Sequence, residues 1–241
     1  MPAPANRKSV LVLVPSLDDV ACLGDIVAAI SATLPRARAL VVDDGSTRSI
    51  DPATFGDAAL FVKLPDNCGL GVCLQIAFDH ALAHGYKAVV RVDSDGQHPL
   101  DRIADLLAPI EADEADVVVG TRENHAAGGG IDGLMRLFVK KYYSVGARLI
   151  TRGAAPRDVN SGFFAVNRRA AERLGAVQFG RFPEPELFIA ACRADLRVAE
   201  ISVEQSERLH GATRLNLFHA LRMFFRFNVF VLNELIRGRT P

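Results

Sequence analysis

The chain has no net charge to read: Lys plus Arg and Asp plus Glu each total 28 among 241 residues. A global basic excess, the mark of a nucleic-acid partner, is missing, so any electrostatic function must come from local clusters. Cysteine is scarce as well. Cys22, Cys68, Cys73 and Cys192 form no CxxC pair and accompany no suitably spaced histidines. Neither a zinc site nor a disulfide framework is indicated, and a reducing cytoplasm fits best. No stretch reaches the roughly 18 uninterrupted apolar residues of a spanning helix. The early apolar run behind Arg7 and Lys8 stops at Pro15, ahead of Asp18 and Asp19, and is too short for a signal peptide. No repeat or low-complexity segment interrupts the chain.

What is present is apolar content of 49%, enough for the core of one large domain. Continuous apolar, β-rich runs recur at Ser9 to Pro15, Ala39 to Asp44, Ala59 to Leu64, Ala88 to Asp93 and Asp116 to Gly120. Continuity rather than alternation is expected of strands covered on both faces. Helical patterns lie between them, notably Gly71 to His84, where Gln75, Asp79 and His80 form a narrow polar stripe. Strand, helix, strand in that rhythm predicts an α/β fold: a doubly wound, mainly parallel sheet with helices on both faces. Beyond Leu134 the pattern predicts a helix to about Thr151, a short run "VNSGFFAVN", a helix over Glu184 to Arg193, a strand near Leu196 to Val203 and a long final helix. The main unit is read as residues 1–214, with an amphipathic helix and tail over 215–241.

Ligands of such sheets bind at the carboxyl ends of strands, and two runs end there in acidic pairs, Asp43 with Asp44 and Asp93 with Asp95. Two carboxylates one residue apart can share a divalent cation, Mg²⁺ or Mn²⁺, while leaving room for phosphate oxygens. Equally, "HPLDRIADLL" with Pro99 at its head allows Asp93 and Asp95 merely to cap a helix. A calcium loop is excluded, because Ala104 stands where its bidentate Glu is needed. The glycine-rich Thr121 to Gly133 reads either as a lid beside this edge or as a plain flexible connection.

The ordered set "VVDDGS", "NCGLGVCLQIAFDHALAHG" and "VDSDGQHP" resembles the family 2 glycosyltransferases of the GT-A fold. The nearest branch is that of dolichol-phosphate mannose synthase and the bacterial polyprenyl-phosphate glycosyltransferases, over roughly Val10 to Leu215. The resemblance implies a nucleotide diphosphate sugar donor, a divalent cation, and inversion at the anomeric carbon. It places Pro15, Leu17 and Asp19 of "VPSLDD" against base and ribose, although Leu17 stands for an aromatic residue and Asp19 for a Glu. It likewise places Val42 and Asp44 at the base, with Asp44 accepting from a ring N–H. Asp93, Ser94 and Asp95 fall on the DxD element, with Gln97 also facing the metal. A cation there would offset charge developing on the diphosphate leaving group. Arg122, and Arg208 and Arg214 of "RLHGATR", fall on phosphate-contacting positions, Arg214 replacing a Lys.

The same resemblance sets "DVNSGFFAVNR" and "FPEPELFIAACRADLRVAEI" beside the acceptor. Asp95, Arg208, Asp158 and Glu184 are then the catalytic candidates. A hydroxyl acceptor would need Asp158, Glu184 or Glu186 as general base, whereas a polyprenyl phosphate, already ionised near neutral pH, would not. A catalytically weak nucleotide-sugar-binding module is the non-enzymatic alternative. His98 and His210 are secondary candidates, His98 suiting a helix start and His210 a loop.

In the final helix, Leu215 to Arg237, the polar residues His219, Arg222, Arg226, Asn233 and Arg237 fall on one face. Phe218, Leu221, Phe224, Phe225, Val229, Leu232 and Ile236 form the apolar face. Such a helix suits the anionic cytoplasmic face of a membrane, as a peripheral contact, or packs on the core or on a second subunit of a homodimer.

Overall fold

The structure is a computed structural model that describes residues 8–19, 21–122, 131–204 and 217–237. Seven strands form one sheet: β1 (Val10–Ser16), β2 (Ala37–Asp43), β3 (Ala59–Lys63), β4 (Ala88–Arg91), β5 (Val117–Arg122), β6 (Phe164–Asn167) and β7 (Val198–Val203). The helices are α1 (Leu23–Thr33), α2 (Leu70–His84), α3 (Ile103–Glu111), α4 (Ile131–Ile150), α5 (Arg168–Gly175), α6 (Glu184–Arg193) and α7 (Leu217–Arg237). All five sequence-derived strands are present, and Gly85 ends α2 in a left-handed conformation at φ 76°. That geometry is open to glycine without steric cost.

The strand order is β3-β2-β1-β4-β6-β5-β7. Every pairing is parallel except those of β6, which runs antiparallel to both β4 and β5. The chain winds outward through β1, β2 and β3, then returns to lay β4 beside β1. That reversal opens a crevice at the carboxyl ends of β1 and β4, where such sheets bind ligands.

Alternation along β1 assigns its side chains to two cores. Leu11 and Leu13 face a cluster with Leu74, Phe78, Phe164, Leu174 and Phe188, beneath α2, α5 and α6. Val10, Val12 and Val14 face Leu23, Ile30, Ile103 and Leu106, beneath α1 and α3. Burial on both faces is why the strand sequences are continuously apolar. The sheet is thereby a fixed platform, and the loops at its carboxyl edge carry the polar chemistry.

The structure shows which side of the final helix meets the domain. Phe227 is buried against Tyr143 and Gly146, and Phe230 and Val231 pack partly into the first core. Arg226, on the polar face, donates to Glu186 at 3.0 Å, and Glu234 pairs with Arg193 at 2.7 Å. Charge partners waiting on the domain turn this face inward. The apolar residues Phe225, Val229, Leu232 and Ile236 are left exposed.

Candidate active site

A cavity of about 550 Å³ opens at the crevice, lined by the Pro15 to Asp19 turn, Asp44, Asn67, Gly69, Arg91, Asp93 to Asp95, Arg181, Phe182 and Glu184. Of the sequence-derived residues it gathers Pro15, Leu17, Asp19, Asp44, Asp93, Ser94, Asp95 and Glu184. Val42 is fully buried in the core instead. Its strand passes beneath the cavity, so its side chain serves packing. Gln97, Arg122, Asp158 and Glu186 do not line this cavity. Arg208, Arg214 and His210 lie outside the described residues, as does most of the Thr121 to Gly133 segment.

The turn after β1 is pinned by Asp18, a non-glycine residue at φ 59°. Its carboxylate accepts from Thr47 N–H at 2.8 Å and from the Thr47 hydroxyl at 2.7 Å, while its own N–H donates to Ser46 Oγ at 2.8 Å. These bonds repay a left-handed backbone that costs most residues energy. Asp18 is thus the structural half of "DD", and Asp19 faces the cavity, where Ser94 Oγ approaches it at 3.4 Å.

The first acidic pair divides its labour in a similar way. Asp43 is buried and accepts from Ser46 N–H at 2.8 Å. Asp44 accepts from Cys68 N–H at 2.7 Å and from Gly69 N–H at 2.9 Å. It therefore ties the second wall of the cavity to β2. Gly69, at φ 95°, is needed there, because any Cβ would strike the Arg181 backbone at 2.8 Å.

Asp93 sits just beyond β4. Its Oδ1 accepts from Arg91 Nη2 at 2.8 Å, its Oδ2 lies 3.6 Å from His98 Nε2, and its N–H donates to His98 Nδ1 at 2.9 Å. Burial pushes the Asp93 carboxyl up, but the Arg91 guanidinium beside it, with Arg122, outweighs that and holds it below the ordinary carboxylate range. Burial also lowers His98, against the pull of Asp93. A neutral ring accepting at Nδ1 makes His98 a fastener for the Asp93 turn. Asp95 Oδ1 accepts from Gln97 N–H at 3.1 Å, which shapes the turn and brings Asp95 to the cavity.

The donor set here is all oxygen. Among the described residues no group of three or more His, Cys, Asp or Glu side chains converges. Two carboxylates without nitrogen or sulfur fit a hard ion such as Mg²⁺, which takes one or two protein carboxylates and completes its shell with phosphate and water. The residues fit that group in part.

Arg91 lines the cavity without having been singled out from the sequence. It interrupts the apolar run of β4, is only 2% exposed, and donates to Glu184 Oε1 at 2.6 Å as well as to Asp93. A charged residue inside a fully buried strand was the signal, since such a group needs ionic partners. Asp158 is held similarly, by Arg122 Nε at 2.6 Å and Nη2 at 3.1 Å. Glu186 accepts from Arg226 at 3.0 Å and from Gly180 N–H at 2.9 Å. Asn67, Arg181 and Phe182 complete the cavity wall and were also missed.

A seven-stranded α/β sheet carrying a carboxylate-lined cavity at its β1/β4 switch is the architecture of a GT-A glycosyltransferase. Residues 11–175 match the family described as Glycosyl transferase family 2, and the chain belongs to that family. It is 28% identical over 245 residues to polyprenol monophosphomannose synthase of Mycolicibacterium smegmatis, covering 95% of this chain and 88% of that protein. Over 118 residues it is 28% identical to the undecaprenyl-phosphate mannosyltransferase of Micrococcus luteus, covering 47% of this chain and 48% of that one. Among solved structures it resembles glucosyl-3-phosphoglycerate synthase from Mycobacterium tuberculosis in complex with Mn²⁺, UDP and glucosyl-3-phosphoglycerate. The TM-score is 0.69 at 20% identity, covering 94% of this chain and 79% of that one, a likeness of fold.

Proposed function

We propose that this glycosyltransferase moves a sugar from a GDP- or UDP-linked donor to a polyprenyl phosphate, by single displacement with inversion. One observation carries the choice of acceptor. Each acidic residue that the sequence offers as a base is held in an ion pair with an arginine, Glu184 with Arg91 at 2.6 Å, Asp158 with Arg122 at 2.6 Å and Glu186 with Arg226 at 3.0 Å, and of the three only Glu184 lines the cavity. A carboxylate whose oxygens are committed to a guanidinium is poorly placed to come within hydrogen-bond reach of an acceptor hydroxyl. An acceptor that arrives ionised needs no base. Relatives named for polyprenol and undecaprenyl-phosphate chemistry support the same reading.

Pro15, Leu17, Asp19 and Asp44 would hold the nucleoside end, and Ser94 with Arg208 and Arg214 the diphosphate, while Arg122 is engaged by Asp158 outside the cavity. Asp93, Asp95 and Gln97 would hold Mg²⁺ or Mn²⁺, which when bound offsets charge on the departing diphosphate. Arg91 keeps Asp93 ionised and fixed in orientation, so the site requires little rearrangement when charge develops. Residues 1–214 would carry this chemistry.

The 215–241 segment would serve the acceptor's location. No helix among the described residues is long and apolar enough to cross a membrane. Phe225, Val229, Leu232 and Ile236 recur on the outer face of α7, with exposed Val145 and Leu149 on neighbouring α4. Lys141 and Arg148 are exposed on α4 beside them. Apolar stripes edged by basic residues support peripheral contact with an anionic, cytoplasmic leaflet. The test is transfer of labelled sugar to polyprenyl phosphate in vesicles. Transfer confined to soluble glycans would replace this acceptor with a hydroxyl.

A further inference from the structure

We propose that Arg226 is a positioning residue for the donor cavity, so that the seating of α7 sets how tightly the nucleotide sugar is held. The inference rests on the reading of that cavity as a nucleotide-sugar site. Its starting point is the wall formed by Asn67 to Leu70 on one side and Arg181 with Phe182 on the other. The two segments are laced together: Gly71 N–H donates to Gly180 O at 3.0 Å, Leu70 N–H to Arg181 O at 3.3 Å, and Arg181 Nη1 to Asn67 Oδ1 at 2.8 Å. Gly69 N–H continues the lacing to Asp44.

What anchors the 180–182 side is Glu186, whose Oε2 accepts from Gly180 N–H at 2.9 Å. That carboxylate is 3% exposed. A buried carboxylate is held in place by ionic and hydrogen-bonded partners. Among the described residues the cation in reach is Arg226, whose Nε donates to Oε1 at 3.0 Å. The guanidinium lies directly over Gly180, where any Cβ would collide with it. Arg226 is carried by α7 one position before Phe227, the buried residue that seats this helix on α4. A path of direct contacts therefore runs from α7 through Arg226, Glu186 and Gly180 to Gly71 and Gly69, and ends at Asp44 on the cavity floor. The Arg226 side chain is about half exposed, at 51%, so it can be replaced without opening the core.

Hydrogen exchange on the full chain tests the latch without any ligand. Arg226→Ala raises exchange of the Leu70, Gly71 and Gly180 amides by roughly tenfold, the size of a typical coupling between sites. Arg226→Lys restores most of the protection. Donor titration with Mn²⁺ and UDP- or GDP-sugars then shows a roughly tenfold weaker Kd for Arg226→Ala, while kcat at saturating donor stays within twofold. A merely structural role would lower kcat and thermal stability together. Unchanged exchange in 67–71 and 178–183 overturns the latch. Faster exchange there with an unaltered donor Kd overturns its link to the cavity. If the wild-type chain binds no nucleotide sugar, the reading of the cavity falls and the coupling proposal falls with it, the exchange result alone then deciding whether Arg226 holds the wall.

Discussion

Arg91 Nη1 donates to Glu184 Oε1 at 2.6 Å, joining a strand to a helix 93 residues further along the chain. The pair is buried, and its second arm reaches Asp93, so α6 and the turn after β4 share one cation. Glu184 is consequently an ion-pair partner, and the same holds for Asp158 with Arg122.

Asp158→Asn and Glu184→Gln follow directly from this. Glu184→Gln leaves Arg91 with Asp93 as its remaining partner and Asp158→Asn leaves the part-exposed Arg122 unpaired by that carboxylate, so each lowers stability by about 1–3 kcal/mol, seen as an earlier denaturation midpoint. Turnover of the folded enzyme at saturating substrates falls by less than the roughly hundredfold expected for a lost general base. A thousandfold loss in a stably folded variant would identify a base and a hydroxyl acceptor.

The two walls of the cavity meet too closely at Gly71 for any side chain. A Cβ there would lie 2.6 Å from Phe179 O. Gly71→Ala is expected to destabilise the chain by about 1–3 kcal/mol and to weaken donor binding. Gly175→Ala, where the nearest atoms are 3.8 Å away, leaves both unchanged. Thermal melts and donor titration of the two variants check the contrast.

Far from the cavity, Asp116 joins β5 to β7. Burial raises its carboxyl, but hydrogen bonds from the Arg197 side chain and backbone and from Asn167, with the Arg197 charge, bring it down to about 2. A depressed folded value gives stability that is complete above the ordinary carboxylate pKa and is lost as pH falls from about 4 through about 2. Asp116→Asn should therefore cost roughly 1–2 kcal/mol at pH 7. The gap between variant and wild type should close toward pH 2, as read by urea titration at each pH.

How much of this could be read beforehand differs by element. Strands ending in acidic pairs were legible because a sheet buried on both faces leaves continuous apolar runs, and β1, β2 and β4 all lie where those runs predicted. The direction of β6 was not legible. "FAVN" signals burial, whereas its antiparallel pairing with β4 and β5 depends on how the chain arrives from Asp158 to Gly162. Roles within pairs were hidden for a related reason. Asp18 and Asp43 differ from Asp19 and Asp44 only in which backbone N–H groups the fold brings to them.

The helix faces of α7 show the same limit. Periodicity separates polar from apolar residues, but the inward face was chosen by Glu186 and Arg193, charges distant in sequence. Phe227→Ala should cost about 3–5 kcal/mol, because that ring is buried. Serine at Phe225, Val229 and Leu232 should leave stability unchanged and release the protein from anionic vesicles, as measured by co-sedimentation.

The most direct test of the account is transfer of radiolabelled sugar to polyprenyl phosphate in the presence of Mn²⁺, comparing the wild type with Asp95→Ala. The account predicts transfer by the wild type and its loss, by about a thousandfold or more, in the variant, in line with removal of the group that supports the leaving diphosphate. Near-normal transfer by Asp95→Ala, or wild-type transfer to soluble glycans alone, would contradict it.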